Sequence, residues 1–174
     1  ELTRETHLKV IQPRMITGHF QGRVLSMLSK IIAPKNILEI GTYTGYSAIC
    51  LAEGMQKEGK LHTIDVNEEL GGIQRRYFDR SGYGPQIVQH VGDAIDVIQT
   101  SYDAYFEAAL SKTGPGSIIL SDNVLWSGKV IEPLQPNDKA TKVLLDYNKK
   151  LKEDPRIETV LLPIRDGLTL SRVL

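Results

Sequence analysis

Residues 37–47, with the sequence ILEIGTYTGYS, decide the fold of this chain. An apolar run containing the acid Glu39 leads into a glycine-containing turn, and a helix is predicted to follow. This order places backbone N–H groups and a carboxylate at the carboxyl end of a strand, where open α/β sheets bind ligands. A second stretch, residues 118–126 (IILSDNVLW), is an apolar strand that runs into the paired oxygen ligands Asp122 and Asn123. The two stretches together indicate a nucleotide-like cofactor beside a metal.

The composition is that of one ordinary globular domain, and we expect a single domain over residues 1–174. Hydrophobic residues make up 41% and charged residues 24% of the chain. Lys and Arg number 21 and balance 21 Asp and Glu, so no basic excess points to a nucleic-acid partner. There is no apolar run of transmembrane length and no signal peptide, so we expect no membrane association and a cytoplasmic protein.

Two local features complete this picture. Cys50 is the only cysteine, which excludes an internal disulfide framework, and its apolar helical surroundings predict a packed side chain rather than a reactive thiol. The chain starts at Glu1-Leu2 with the pattern of a helix interior. We therefore expect the natural N-terminus to lie further upstream.

Apolar β-type runs alternate with amphipathic runs along the chain, which predicts an α/β fold with a mostly parallel sheet and helices on both faces. The predicted strands are 36–40, 61–65, 87–91, 117–121, 157–162 and 168–172. The predicted helices are 19–32, 46–54, 67–80, 94–100, 102–112 and 137–152. Asp166-Gly167 is a hairpin signal between the last two strands, so we expect that pair to be antiparallel.

At four anchor segments the chain resembles the small metal-dependent O-methyltransferases, the group of catechol and caffeoyl-coenzyme A O-methyltransferases and their bacterial relatives. The anchors are residues 13–15 (PRM), 38–47 (LEIGTYTGYS), 122–128 (DNVLWSG) and 162–168 (LPIRDGL). Each is weak alone, but all four in this order are specific, and the resemblance covers nearly the whole chain. It implies a Rossmann-like methyltransferase fold that uses S-adenosylmethionine, and relatives of this kind are often homodimers.

One segment of that family has no counterpart here. Helix would follow helix across Thr100-Ser101, where relatives carry another strand that ends in an Asp-Ala-Asp-Lys motif. We therefore expect that roughly a dozen residues are absent between Thr100 and Ser101. The family's further metal-binding aspartate, and the lysine often assigned as base, belong to that segment. Neither can be assigned to a residue of this chain, and the base is unknown.

The cofactor is expected at the ends of the first three strands. Glu39 is interpreted as an acceptor for amine or hydroxyl donors of the cofactor, with a structural acid as the alternative. Asp65 suits ribose hydroxyls, with a helix-dipole role as the alternative. Gly41 allows close backbone approach, while Gly45 allows tight packing of the helix on the strand.

Further cofactor contacts rest more on the resemblance than on the pattern. Tyr43 and Ser47 either contact the carboxylate end of the ligand or cap the helix, and the resemblance favours contact. Asp93 and Ala94 could flank an adenine, although Asp93 is an equally good helix N-cap. The resemblance also places Thr17, Tyr105 and Met15 near the cofactor, with Met15 assigned to the substrate side.

The glycine spacing bears on the choice of cofactor. A dinucleotide fingerprint needs G-x-G-x-x-G so that a pyrophosphate can rest on a helix N-terminus. This chain has G-x-x-x-G at Gly41 and Gly45, with an acid just before it. S-adenosylmethionine therefore fits better than a nicotinamide dinucleotide.

Asp122 and Asn123 are hard oxygen ligands that suit Mg²⁺ or Ca²⁺, and an Asx turn is the alternative. These two ligands alone are too few to hold a metal. Trp126, three residues further on, is interpreted as a wall of the pocket for a flat aromatic acceptor. The predicted function is metal-assisted methyl transfer to a hydroxyl of a catechol-like or caffeoyl-type aromatic, with Asp122 and Asn123 acting through the metal. The alternatives are a nicotinamide-dependent oxidoreductase and a non-catalytic cofactor-binding protein of the same fold.

Overall fold

The computed structural model of the chain describes residues 1–92 and 102–174. Residues 1–97 form one compact unit and residues 98–174 form a second. Within the described ranges, no helix is both long enough and apolar enough to cross a membrane. The helix predicted for residues 94–100 and the Thr100–Ser101 junction lie outside the described residues, so the absent segment stays a prediction.

The described part of the first unit combines parallel strands with helices. The helices are α1 (Leu2–Lys9), α2 (His19–Ile32), α3 (Tyr46–Ala52) and α4 (Gly71–Ser81). The strands are β1 (Asn36–Ile40), β2 (Lys60–Asp65) and β3 (Ile87–Val91). They lie in the order β1-β2-β3, and both pairs are parallel. The three strands were all predicted from the sequence, with β2 beginning one residue earlier than expected.

The helix predicted to start after Asn67 begins as a tighter turn. The Asn67 side chain accepts a hydrogen bond from the Glu69 N–H at 3.0 Å and caps a 3₁₀ turn over Glu68–Leu70. Helix α4 follows directly from Gly71.

The core of the first unit is built on one row of apolar side chains across the sheet. In the parallel register Ile37 lies beside Leu61, and Leu61 lies beside Ile87. Side chains paired in this way point to the same face, and this face packs against Ala48 of α3 and Phe78 of α4. Because side chains alternate between the two faces of a sheet, burial of this row means that the residues two positions further along each strand also face the helices.

The second unit is antiparallel in its described residues. Its helices are α5 (Tyr102–Lys112) and α6 (Lys139–Glu153), and its strands are β4 (Ile118–Asp122), β5 (Ile157–Leu162) and β6 (Leu168–Val173). The strand order is β4-β6-β5, with both pairs antiparallel. The predicted antiparallel hairpin of the last two strands is thus confirmed.

The core of the second unit packs α5 and α6 against the sheet. Phe106 and Tyr147 meet edge to face with ring centroids 6.2 Å apart, and Val124 and Val173 belong to the same buried cluster. The Tyr147 hydroxyl lies 2.6 Å from that of Ser121 in β4, so its polar end is satisfied inside the core. This packing anchors the strand that leads into Asp122.

The predicted α/β class, with parallel strands and an antiparallel hairpin, is confirmed. One difference is that the described strands form two sheets of three rather than one sheet. Within the described residues, β1 and β4 each lie at an edge of their own sheet. No other strand of the described residues pairs with the free edge of β1 or of β4.

Candidate active site

A row of polar side chains crosses the first sheet near its carboxyl edge. Glu39 lies beside Thr63 in the parallel register, and Thr63 lies beside Gln89. This row stands two residues beyond the apolar row, so it points to the same face. The sheet therefore changes from an apolar to a hydrogen-bonding surface where β1, β2 and β3 end.

Glu39 is the charged member of this row. Its Oε2 accepts a hydrogen bond from the Thr63 hydroxyl at 2.6 Å. Burial, with a smaller contribution from the negative charge of Asp65, raises the pKa of Glu39 to about 7, while hydrogen bonds from Ser47 and Thr63 act in the opposite direction. The structure thus brings together the predicted residues Glu39 and Ser47. It presents a carboxyl whose charge a cationic ligand would stabilise.

The two glycines of the loop after β1 have different surroundings. Both have positive φ, +90° at Gly41 and +87° at Gly45. A Cβ at Gly41 would meet nothing within 4 Å, whereas a Cβ at Gly45 would lie 2.5 Å from the Phe78 ring. The open space beside Gly41 lies next to Glu39 in the chain, and it suits the close approach of a ligand to the backbone.

The backbone of the loop is held at Tyr43, which itself has φ +48°. Its N–H donates to Asp65 Oδ2 at 2.6 Å, and its carbonyl accepts from Gln74 Nε2 at 2.7 Å. The other Asp65 oxygen, Oδ1, accepts from the Asn67 N–H at 2.9 Å. Each carboxylate oxygen has two acceptor sites, so Asp65 holds the loop and can still accept hydrogen bonds from ribose hydroxyls.

Several residues that hold this loop were not singled out from the sequence. Gln89 Nε2 donates to Gln74 Oε1 at 2.8 Å, which orients Gln74 toward Tyr43. Thr6 of α1 donates to the Thr44 hydroxyl at 3.1 Å, and both side chains are fully buried. The sequence signal for such residues is a polar residue at an inward position of an otherwise apolar strand or helix.

The segment before α2 is tied to the same loop. The Tyr43 hydroxyl lies 3.1 Å from the Gln12 carbonyl oxygen, which accepts its hydrogen bond. Met15 ends the 3₁₀ turn over Pro13–Met15, and its side chain is 63% exposed. Thr17 follows on the same segment and is partly buried. Its role and that of Met15 in binding stay predictions.

The predicted metal ligands lie at the end of β4 in the second unit. Asp122 Oδ1 accepts a hydrogen bond from the N–H of Asn123, the next residue, at 2.8 Å. An Asx turn, the alternative interpretation, uses the N–H two residues on, so this contact does not decide between the two interpretations. Asn123 has φ +60°, a conformation that asparagine tolerates. Residues 1–92 and 102–174 contain no group of three or more His, Cys, Asp or Glu placed to hold a metal. The pair thus has the right donor chemistry for a hard cation but too few ligands among the described residues.

The loop beyond these ligands is held by the last hairpin. Trp126 and Ser127 have positive φ values of +50° and +55°, which marks a backbone under strain. The Ser127 N–H donates to Asp166 Oδ1 at 2.5 Å, and the Leu125 N–H donates to the Asp166 carbonyl at 2.8 Å. Sequence reasoning identified Asp166 only as a turn residue, and the structure shows that it supports the loop that carries Trp126.

Three further residues were predicted to contact the cofactor, and the structure does not test them. Asp93 and Ala94 lie outside the described residues. Tyr105 is a partly buried residue of α5 in the second unit. Their proposed contacts stay predictions.

The parallel sheet, with a partly buried acid in β1, an open glycine after it and a second acid at the end of β2, is that of the Rossmann-like methyltransferase class. The O-methyltransferase family model matches residues 1–100 and 95–174. The chain belongs to this O-methyltransferase family. Its membership confirms the predicted enzyme class, an S-adenosylmethionine-dependent O-methyltransferase.

Individual relatives agree with this assignment. A caffeoyl-CoA O-methyltransferase from Petroselinum crispum is 33% identical over 184 residues, covering 91% of this chain and 76% of the relative. The Petunia hybrida caffeoyl-CoA O-methyltransferase 2 is 34% identical over the same shares of each chain.

Solved structures match the fold closely. TomG of Streptomyces achromogenes, an O-methyltransferase in complex with S-adenosylmethionine, has a TM-score of 0.86 at 25% identity, covering 98% of this chain and 87% of that protein. The Bacillus cereus O-methyltransferase in complex with SAH has a TM-score of 0.84 at 27% identity, covering 99% and 90%.

Proposed function

We propose that this enzyme transfers the methyl group of S-adenosylmethionine to a hydroxyl of a catechol-like or caffeoyl-type aromatic acceptor, with a divalent cation, Mg²⁺ or Ca²⁺, at the acceptor. The cofactor part of this proposal rests on the partly buried Glu39 carboxyl, whose pKa is raised by desolvation, and on the open space beside Gly41. The acceptor class is taken from the caffeoyl-CoA O-methyltransferases that the chain resembles.

The first unit supplies the groups that bind the cofactor. Glu39 would accept hydrogen bonds from the ammonium group of S-adenosylmethionine, and Asp65 would accept from its ribose hydroxyls. The loop at Gly41 has room for the ligand. Its backbone is kept in place at Tyr43, whose carbonyl accepts a hydrogen bond from Gln74 and whose N–H donates one to Asp65. Because the loop is held before the ligand arrives, little ordering is left to be done on binding.

The second unit supplies the groups assigned to the acceptor. Asp122 and Asn123 would contribute two oxygen ligands to the cation, and Trp126 would lie against the aromatic ring of the acceptor. A bound divalent cation lowers the pKa of a hydroxyl that it contacts and orients it. The reaction is an in-line displacement in which the acceptor oxygen forms a bond to the methyl carbon and the cofactor leaves as a neutral thioether. Its rate depends on how closely the two reactants are held.

The family comparison does not support a nicotinamide-dependent oxidoreductase. A non-catalytic cofactor-binding protein differs from the proposed enzyme in one measurable property, methyl transfer. A binding protein would take up the cofactor but transfer no methyl group. Calorimetric titration of S-adenosylmethionine into the full chain, with and without Mg²⁺ and then with a catechol, tests the binding steps. Formation of the methylated catechol in the same mixture separates the enzyme from a binding protein. We expect cofactor binding first and Mg²⁺-dependent acceptor binding second.

The metal site is tested by Asp122→Ala, with Asp146→Ala as the matched control. Asp146 is an exposed acid of α6 that pairs with Lys142 at 2.8 Å. We expect Asp122→Ala to weaken Mn²⁺ binding, followed by electron paramagnetic resonance, about tenfold or more, and to leave S-adenosylmethionine affinity unchanged. The control should change neither. Loss of cofactor binding in Asp122→Ala would show that Asp122 is structural, and no metal effect on any binding step would rule out the site.

A further inference from the structure

Behind Glu39 lies a buried chain of two hydroxyl groups. The Thr63 hydroxyl donates to Glu39 Oε2 at 2.6 Å, and the Thr42 and Thr63 hydroxyl oxygens are 2.5 Å apart. Thr63 is fully buried and Thr42 is 3% exposed. The three side chains thus form a continuous polar line from the partly buried Glu39 to two buried hydroxyls, which would be costly to leave unsatisfied.

The sheet fixes the position of the middle hydroxyl. Thr63 lies on the central strand β2, directly beside Glu39 in the parallel register. A β-branched side chain has few χ1 rotamers, so the Thr63 hydroxyl has little freedom to turn away. Thr42 belongs to the loop that follows β1, so the hydroxyl chain also ties that loop to the sheet.

Counting protons sets the direction of these bonds. Each hydroxyl has one proton to donate. When Glu39 is ionised it can only accept, so Thr63 donates to Glu39 and Thr42 must donate to Thr63. Both hydroxyl dipoles then point toward the carboxylate and stabilise its negative charge.

Other groups around Glu39 also raise or lower its pKa. Asp65, from β2, is the charged side chain that disfavours ionisation of Glu39, and Ser47, from α3, favours it with a hydrogen bond. Cys50, also from α3, is the other titratable neighbour, and burial raises the pKa of its thiol. Among the described residues around Glu39, the hydroxyls of Ser47 and Thr63 are therefore the groups that favour its charge.

We propose that Thr63 is a positioning residue for cofactor recognition, which directs Glu39 at the ammonium group of S-adenosylmethionine and, with the help of Thr42, favours its negative charge. This inference rests on the proposed function, since it takes Glu39 as the partner of that ammonium group. Thr63 itself touches no substrate and acts through Glu39.

The test compares Thr63→Val, which removes the hydroxyl at nearly constant volume, with Thr63→Ser, which keeps it. S-adenosylmethionine affinity of the full chain is measured by calorimetry from pH 5.5 to 9. The affinity of the native protein should rise with pH on an acid limb as Glu39 ionises, and fall again where the cofactor amine loses its proton. Thr63→Val should move the acid limb upward by about one pH unit, which is about a tenfold loss of affinity on that limb.

Thr63→Ser should keep the native profile, because its hydroxyl can donate the same hydrogen bond. The titration of ¹³C-labelled Glu39 followed by NMR, without cofactor, should show the same upward shift in Thr63→Val alone. Thr159→Val is the matched control, since it removes a hydroxyl that lies 3.0 Å from that of Ser171 in the second sheet. It should leave both profiles unchanged.

Different outcomes would contradict the positioning role of Thr63 and the proposed cofactor site. An unmoved acid limb in Thr63→Val, or an equal loss of affinity at every pH, would overturn the positioning role. If Thr63→Val does not fold, Thr42→Val carries the test, and a smaller upward shift is expected from it. A Glu39→Gln variant that binds S-adenosylmethionine as tightly as the native protein would instead overturn the cofactor site itself.

Discussion

At the scale of one residue, the ionised form of Glu39 that is proposed to bind the cofactor lowers the stability of the folded protein. Burial of its carboxyl raises the pKa from 4.5 to about 7 in the folded protein. A pKa that is higher in the folded than in the unfolded state gives stability that is complete below the unfolded pKa and is lost as pH rises through the folded one. The protein without cofactor therefore holds a carboxylate that water would solvate better.

The consequence can be measured with Glu39→Gln, which keeps the shape of the protonated acid and cannot ionise. Between pH 5 and pH 8 the native protein should lose about 2–3 kcal/mol of unfolding free energy relative to the variant. Urea denaturation at the two pH values, without cofactor, gives this difference, and Glu58→Gln is a control at an exposed glutamate. An equal pH dependence of native protein and Glu39→Gln would contradict the burial of an ionising group at this position.

At the scale of the element, the loop between β1 and α3 has one glycine suited to ligand binding and another that packs against a helix. Its two glycines have nearly the same positive φ, yet one faces open space and the other faces the Phe78 ring. The loop is fixed from several sides by Asp65, Gln74 and Thr63. Its rigidity is therefore a property of neighbouring elements rather than of its own residues.

The two glycines should respond differently to the same substitution. Gly41→Ala should cost about 1 kcal/mol of stability from its positive φ and weaken S-adenosylmethionine binding about tenfold or more, because the new methyl group enters the open space. Gly45→Ala carries the same strain and also meets Phe78, so its cost in stability should be about 2–4 kcal/mol. Denaturation and calorimetry measure the two effects. Equal losses of stability in both variants would contradict this division of roles.

At the scale of the whole molecule, the two units carry different parts of the proposed reaction. The residues proposed to bind the cofactor lie mainly in the first unit, at the ends of β1 and β2, and the proposed metal ligands lie in the second, at the end of β4. The homodimer expected from the family resemblance stays a prediction that sedimentation velocity can test.

Hydrogen exchange over the full chain should show this division. S-adenosylmethionine at a hundred times its dissociation constant stabilises the bound state by about 2.7 kcal/mol, so it should slow exchange in residues 41–47 and 65–67. Mg²⁺ alone should slow exchange mainly in residues 122–128. In Glu39→Gln the first effect should weaken and the second should remain. Protection by the cofactor confined to the β5–β6 hairpin would contradict the proposed site.

Local patterns were sufficient for the elements of the fold. Strands β1 and β3, helix α2 and helix α5 were predicted with the bounds that the structure shows, because apolar periodicity and breakers such as Pro34 act over a few residues. The places of Glu39 and Asp122 near the carboxyl ends of their strands could also be predicted, since they follow from chain order alone.

The sequence by itself determined the α/β class, the order and approximate spans of the described strands and helices, the hairpin at Asp166-Gly167 and the family. Only the tertiary structure decided that Glu39, Thr63 and Thr42 form one hydrogen-bonded line, that Gln74 holds Tyr43, and that Asp166 supports the loop of Trp126. These contacts join residues that are distant in the chain. They depend on sheet register and on which helix covers which strand, and no local pattern of residues specifies either of these.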